Sequence, residues 1–184
     1  MIDIRKISIE EFENSVYDKY ITLFTQEEQR DFSTITNAYN NGIEEFYGIY
    51  DDDIMVGFFA LERIKDYPYY LDYIAIFKEY QSKGYGSKSV KLLLDKIVKD
   101  KGIIGEIEEV MESDTSTVKR WNFYNKLGFK KFDNRFFFNG TMFELIVYPY
   151  DFNTTGDEIS KMLYDYYVVN IGEEKTKETC KIIK

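Results

Sequence analysis

The sequence predicts a mixed α/β fold with an additional helix near the C-terminus. Three observations carry that expectation. Strand-like and helix-like segments alternate over 184 residues, the signature of helices packed on a sheet. A glycine-bearing loop, "QSKGYGS", joins a long apolar strand to an amphipathic helix. Late in the chain, "ISKMLYDYYVV" places Ile159, Met162, Leu163, Tyr166 and Tyr167 at helical spacing.

The elements follow in order. "IDIRKI" alternates as an opening strand. Ser8 with Glu11, and Thr25 with Glu28, repeat the spacing of a capping box, so two helices are expected after it. "EFYGIY" and "IMVGFFALERI" flank Asp51, Asp52 and Asp53. Three adjacent aspartates suggest a cation site, but a hairpin turn explains them better. "YYLDYIAIF" reads as a long buried strand. From Ser87 a helix carries Val90, Leu93, Leu94, Ile97 and Val98 on one face and stops at Gly102. "IIGEIEEV" is a strand, "TSTVKRWNFYNKLGF" a helix ended by Gly128, and "FELIVYPY" a late strand. The tail "GEEKTKETCKIIK" is expected to fray.

Composition narrows the function. The chain is 44% hydrophobic and 31% charged, without a proline- or serine-rich linker, which predicts one compact domain. A net charge of -9 argues against generic nucleic-acid binding. The single cysteine, Cys180, excludes a disulfide framework and fits a cytoplasmic setting. No apolar signal core or membrane-length segment is present, so no membrane association is expected. Histidine is absent, which removes Ser-His-Asp and Cys-His chemistry together with the commonest zinc ligand. No metal is expected.

The loop does not match the commonest phosphate cradles. A P-loop fails, because Ser87 separates Gly86 from Lys88 and no upstream glycine stands at the required distance. A dinucleotide fingerprint is weak, because Ser89 occupies the third glycine position. A plain strand–helix turn would also account for the glycines. What "QSKGYGS" resembles is the central motif of the GNAT superfamily of acyl-CoA-dependent N-acetyltransferases, with Gln81, Gly84 and Gly86 matching Gln/Arg-x-x-Gly-x-Gly/Ala. "FYNKLGFKKF" is similar to the later family signature, through Tyr124, Leu127, Gly128 and Phe129.

The resemblance implies a GNAT-like mixed, mainly antiparallel central sheet flanked by helices. It implies an acetyltransferase domain over 1–150, with 151–184 a helical extension packed on that domain. Acetyl-CoA would be the cosubstrate, and its acetyl group would pass to a primary amine by direct attack through a tetrahedral intermediate. Gln81, Ser82, Lys83, Gly84, Tyr85, Gly86 and Ser87 would cradle the pyrophosphate. Ile74, Ala75 and Ile76 would bind the pantetheine arm, with the Ile76 N–H facing the oxyanion. Tyr124 would protonate the departing thiolate.

Glu106 matches the position of a catalytic glutamate in some relatives. Glu108, on the same strand face, and Asp72, on the preceding strand, are further candidates for the base or for holding the substrate. Many relatives carry a cofactor-contacting asparagine seven residues before the tyrosine, where this chain has Thr117. The acceptor stays open: Glu106, Glu108, Glu109 and Glu112 lean towards a small cationic amine, and a protein amino group is the other option. Monomer and homodimer are both compatible. The competing functional reading is a non-catalytic acetyl-CoA-binding module or sensor of the same fold.

Overall fold

The computed structural model describes residues 1–149 and 154–183. Among the described residues, eight strands form one sheet: β1 (Ile2–Ile7), β2 (Glu44–Asp51), β3 (Ile54–Glu62), β4 (Tyr69–Ile76), β5 (Ile103–Glu108), β6 (Lys130–Phe138), β7 (Thr141–Tyr148) and β8 (Cys180–Ile183). Their order is β1-β2-β3-β4-β5-β7-β6-β8. β1–β2, β2–β3, β5–β7, β6–β7 and β6–β8 pair antiparallel, and β4–β5 parallel. The expected mixed, mainly antiparallel sheet is present.

Two compact units divide the chain. The first comprises Met1–Lys65 and Leu71–Lys99, the second Asp66–Tyr70 and Asp100–Lys184. In the first, Ser8 caps α1 (Ile9–Phe12) by accepting from the Glu11 N–H. The Glu11 carboxylate does not close the capping box, because it accepts instead from the Tyr50 hydroxyl at 2.7 Å. The helix widens by one turn at Glu13–Tyr17 and continues as α2 (Asp18–Leu23). Phe12, Val16, Tyr20, Phe46 and Phe58 form its buried aromatic and aliphatic core, with Phe12 stacked on Phe46 at 4.1 Å.

The second helix does not begin at Thr25 as expected. It begins at Phe32, as α3 (Phe32–Asn40), because Asp31 is the cap that accepts from the Thr34 N–H. The preceding residues are drawn elsewhere: the Gln29 side-chain amide donates to the carbonyls of Ile21 and Phe24, and Arg30 points into a carboxylate cluster. The aspartates do make the β2–β3 turn, with Asp52 at φ 53°. α4 (Tyr85–Leu93) starts two residues before the expected Ser87, and its wider last turn ends at Val98.

In the second unit α5 (Thr115–Lys126) packs against β5, and α6 (Gly156–Ile171) against β5 and β6. Thr155 and Glu158 form a complete capping box at the start of α6. β6 escaped the sequence reading, although Asn139-Gly140 marks its hairpin with β7; both residues have positive φ, as a type I′ turn requires. The tail does not fray. It forms α7 (Glu173–Thr179) and then β8, which pairs with β6 and buries Cys180 opposite Phe138. The expected boundary between 150 and 151 lies outside the described residues. Among the described residues, no helix is long and apolar enough to cross a membrane.

Candidate active site

The loop after β4 is built to leave a helix N-terminus open. Ser82 and Gly84 both adopt left-handed backbone, at φ 63° and 81°. Gly84 is the cap of α4, and no side chain closes that end. A Cβ at Gly84 would meet nothing within 4 Å, so its small size matters for the backbone turn and for whatever approaches from outside. The first-turn N–H groups of Tyr85, Gly86 and Ser87 have no partner within an α-helix and lie at its positive dipole end. That donor set fits a pyrophosphate.

Neighbouring side chains brace the loop. The Gln81 amide donates to the Ile76 carbonyl at 3.0 Å, and the Lys83 ammonium to the Glu79 carbonyl at 3.0 Å. Tyr85 donates to Asp51 at 2.7 Å, a bond that raises the phenol above its ordinary range. On β4, Ile74 and Ile76 are partly exposed and Ala75 is buried. Ala75 also lies so near β3 that a Cβ at Gly57 would come within 2.3 Å of its carbonyl oxygen. Among the described residues, β4 pairs with β5 at Tyr69–Ile103 and Tyr70–Ile104. Ile74–Ile76 therefore take no part in that ladder.

Asp72 is not solitary. Arg30 forms ion pairs with Glu44 at 2.5 Å, with Glu62 at 3.4 Å and with Asp72. Oxygens of the three carboxylates lie within 4.8 Å of one another. A cation is needed there, and the guanidinium supplies it. Burial opposes the charge on Arg30, but attraction to Asp72, Glu44 and Glu62 outweighs it and holds the group well above its usual range. Burial pushes the Glu44 carboxyl up to about 7 against the pull of Arg30. Asp72 is raised for the same reason. One signal for this cluster was readable: the β2–β3 hairpin sets Glu44 directly opposite Glu62. Like charges so placed repel unless a cation joins them.

In the second unit Tyr124 is buried on α5, edge-on to Phe123 at 5.0 Å and to Phe129 at 5.2 Å. Burial pushes its phenol up to about 12, with Arg120 pulling the other way, so the hydroxyl keeps its proton at neutral pH. Glu106 on β5 accepts hydrogen bonds from two phenols, Tyr70 at 3.4 Å and Tyr167 of α6. Neither tyrosine was a candidate from the sequence, and α6, which carries Tyr167, had no readable link to β5. Glu108 pairs with Arg120 at 2.6 Å. The Thr117 hydroxyl is engaged by its own loop: it meets the Asp114 carbonyl at 3.0 Å and the Met111 carbonyl at 3.3 Å, and accepts from the Met111 N–H at 3.1 Å.

An eight-stranded, mostly antiparallel sheet flanked by helices, with a glycine-led helix after its fourth strand, is the GNAT fold. The chain belongs to the Acetyltransferase (GNAT) family, whose model matches residues 4–129. It is 34% identical over 83 residues to N-alpha-acetyltransferase 30 of Schizosaccharomyces pombe, 44% of this chain and 53% of that protein. The chain thus spans about half the length of the curated relative it matches. A Bacteroides thetaiotaomicron chain described as a GNAT-family acetyltransferase superposes with a TM-score of 0.77 at 17% identity, covering 93% of this chain and 99% of that one. Spermidine N-acetyltransferase from Vibrio cholerae, in complex with CoA and spermine, gives 0.58 at 15% identity, covering 79% and 94%.

Proposed function

We propose that this chain transfers the acetyl group of acetyl-CoA to a primary amine. The observation that carries this reading is the start of α4: left-handed Gly84, no side-chain cap, and first-turn N–H groups without an intrahelical acceptor, in the loop that follows β4 and its short β5 ladder. The loop from Gln81 to Ser87 holds the pyrophosphate, and backbone groups of Ile74–Ile76 receive the pantetheine arm. A relative crystallised with CoA supports the choice of cosubstrate.

The amine nitrogen attacks the thioester carbonyl carbon, and its lone pair becomes the new C–N bond. The Ile76 N–H stabilises the oxyanion that forms. Collapse breaks the C–S bond, and the leaving thiolate takes the Tyr124 proton. The Tyr124 phenol, pushed up to about 12 by burial, carries the proton this step requires at neutral pH. The proton lost by the amine passes to Glu106. Asp72, tied to Arg30, and Glu108, tied to Arg120, are engaged in ion pairs and are weaker candidates for that task. Thr117 serves its own loop in preference to the cofactor. For the acceptor, the curated relative supports a peptide α-amine and the Vibrio enzyme a polyamine.

The test is CoA release from acetyl-CoA with spermidine and with a short peptide as acceptors. Release that falls about 100-fold in Tyr124→Phe, with acetyl-CoA affinity unchanged, supports the reading. Binding of acetyl-CoA without release to any amine contradicts it and favours a sensor.

A further inference from the structure

We infer that Tyr167, on the C-terminal helix α6, is a positioning residue for Glu106, so that the helix beyond the family-matched segment takes part in the chemistry. The inference rests on the reading of Glu106 as proton acceptor. Residues 4–129 carry the family match, and α6 spans Gly156–Ile171, outside it. Yet the Tyr167 hydroxyl donates to Glu106 Oε1, the same oxygen that Tyr70 reaches at 3.4 Å.

The phenol is held from both ends. Its ring stacks on Phe136 at 5.1 Å and 24°, and packs against Phe138 at 4.6 Å. The adjacent Tyr166 is fully buried and donates to the Pro68 carbonyl at 2.6 Å, which fixes the rotation of α6. Aromatic packing thus restrains the Tyr167 ring, so its hydrogen bond orients the carboxylate at little entropic cost. A phenol donor favours the charged carboxylate without neutralising it, which keeps the group able to take a proton. The titratable groups about Glu106 include, among the described residues, Tyr70 from β4, Tyr167 from α6 and Cys180 from β8, whose thiol is pushed up chiefly by burial.

Tyr167→Phe in the full chain tests this, because the ring and its stacking remain while the donor goes. The rate of CoA release from acetyl-CoA, with spermidine and a short peptide as amine probes, is followed against pH. The Glu106 carboxyl is titrated in parallel by carbon-13 NMR, with its resonance assigned through Glu106→Gln. The expected result is a kcat about tenfold lower with KM for acetyl-CoA unchanged. The acid limb and the carboxyl titration both move up by about half a pH unit or more. Tyr70→Phe, with its longer contact, moves them less. An unmoved limb and titration in Tyr167→Phe overturn the positioning role, even where melting temperature falls. Full activity in Glu106→Gln overturns the base assignment first, and the role of Tyr167 with it.

Discussion

Asp72 and Glu106 entered as rival carboxylates on adjoining strands, and the structure gives them opposite surroundings. Asp72 sits with the buried Glu44 and Glu62 around Arg30, in a largely buried ion cluster. Glu106 accepts hydrogen bonds from the phenols of Tyr70 and Tyr167. An ion pair ties a carboxylate to its partner, so the group cannot turn to a substrate without forfeiting the attraction, even where burial raises its proton affinity. Phenol donors orient a carboxylate and leave its proton affinity in use. Under the proposed mechanism, the difference separates a group that holds the fold from one that moves a proton.

The largest expected effect lies on the structural side. Arg30→Met leaves the buried Glu44 and Glu62 and the partly buried Asp72 without their cation and costs about 3–5 kcal/mol at neutral pH, read by urea unfolding. A loss below 1 kcal/mol would mean that the cluster holds little, and the contrast with Glu106 would collapse. Next comes Asp72→Asn against Glu106→Gln in acetyl transfer. The comparison predicts about a 100-fold loss for Glu106→Gln. Asp72→Asn, once folded, keeps activity within a few-fold. The reverse pattern would exchange the two roles.

A smaller effect is a pH dependence. Glu44 has a folded value raised to about 7 from its ordinary 4.5. A raised carboxyl favours folding fully below 4.5, and that contribution is lost as pH rises through 7. The parent should lose stability over that window. Glu44→Gln should flatten the fall by about 1–2 kcal/mol, measured as the difference between the two unfolding curves. A parallel pair of curves would refute the buried-acid picture. The smallest effect is Gly84→Ala. Its Cβ meets open space, so the cost is the left-handed backbone alone, about 1 kcal/mol in thermal or urea unfolding.

How far the sequence could be read follows the same division between local and distant contacts. The loop from Gln81 to Ser87, the helix ending at Gly128 and the aspartate turn depend on neighbours in sequence, and all were legible. Arg30 was not: its cluster joins a loop to residues 14, 32 and 42 positions away. Thr25 and Glu28 do bond as a capping pair would, but Asp31 starts the helix, so a correct local motif gave a wrong boundary. Tyr167 meets Glu106 across 61 residues, and only packing of α6 creates that contact. β8 escaped because a four-residue segment at the end of a charged tail is stabilised by pairing with β6 and not by any pattern of its own.

The most direct test of the account is calorimetric titration of acetyl-CoA into the parent chain and into Gly84→Asp. The account predicts saturable one-site binding by the parent. It predicts at least a 100-fold weaker affinity in the variant, about 2.7 kcal/mol, where a carboxylate faces the pyrophosphate at the start of α4. Equal affinity in both, or no binding by the parent, would contradict it.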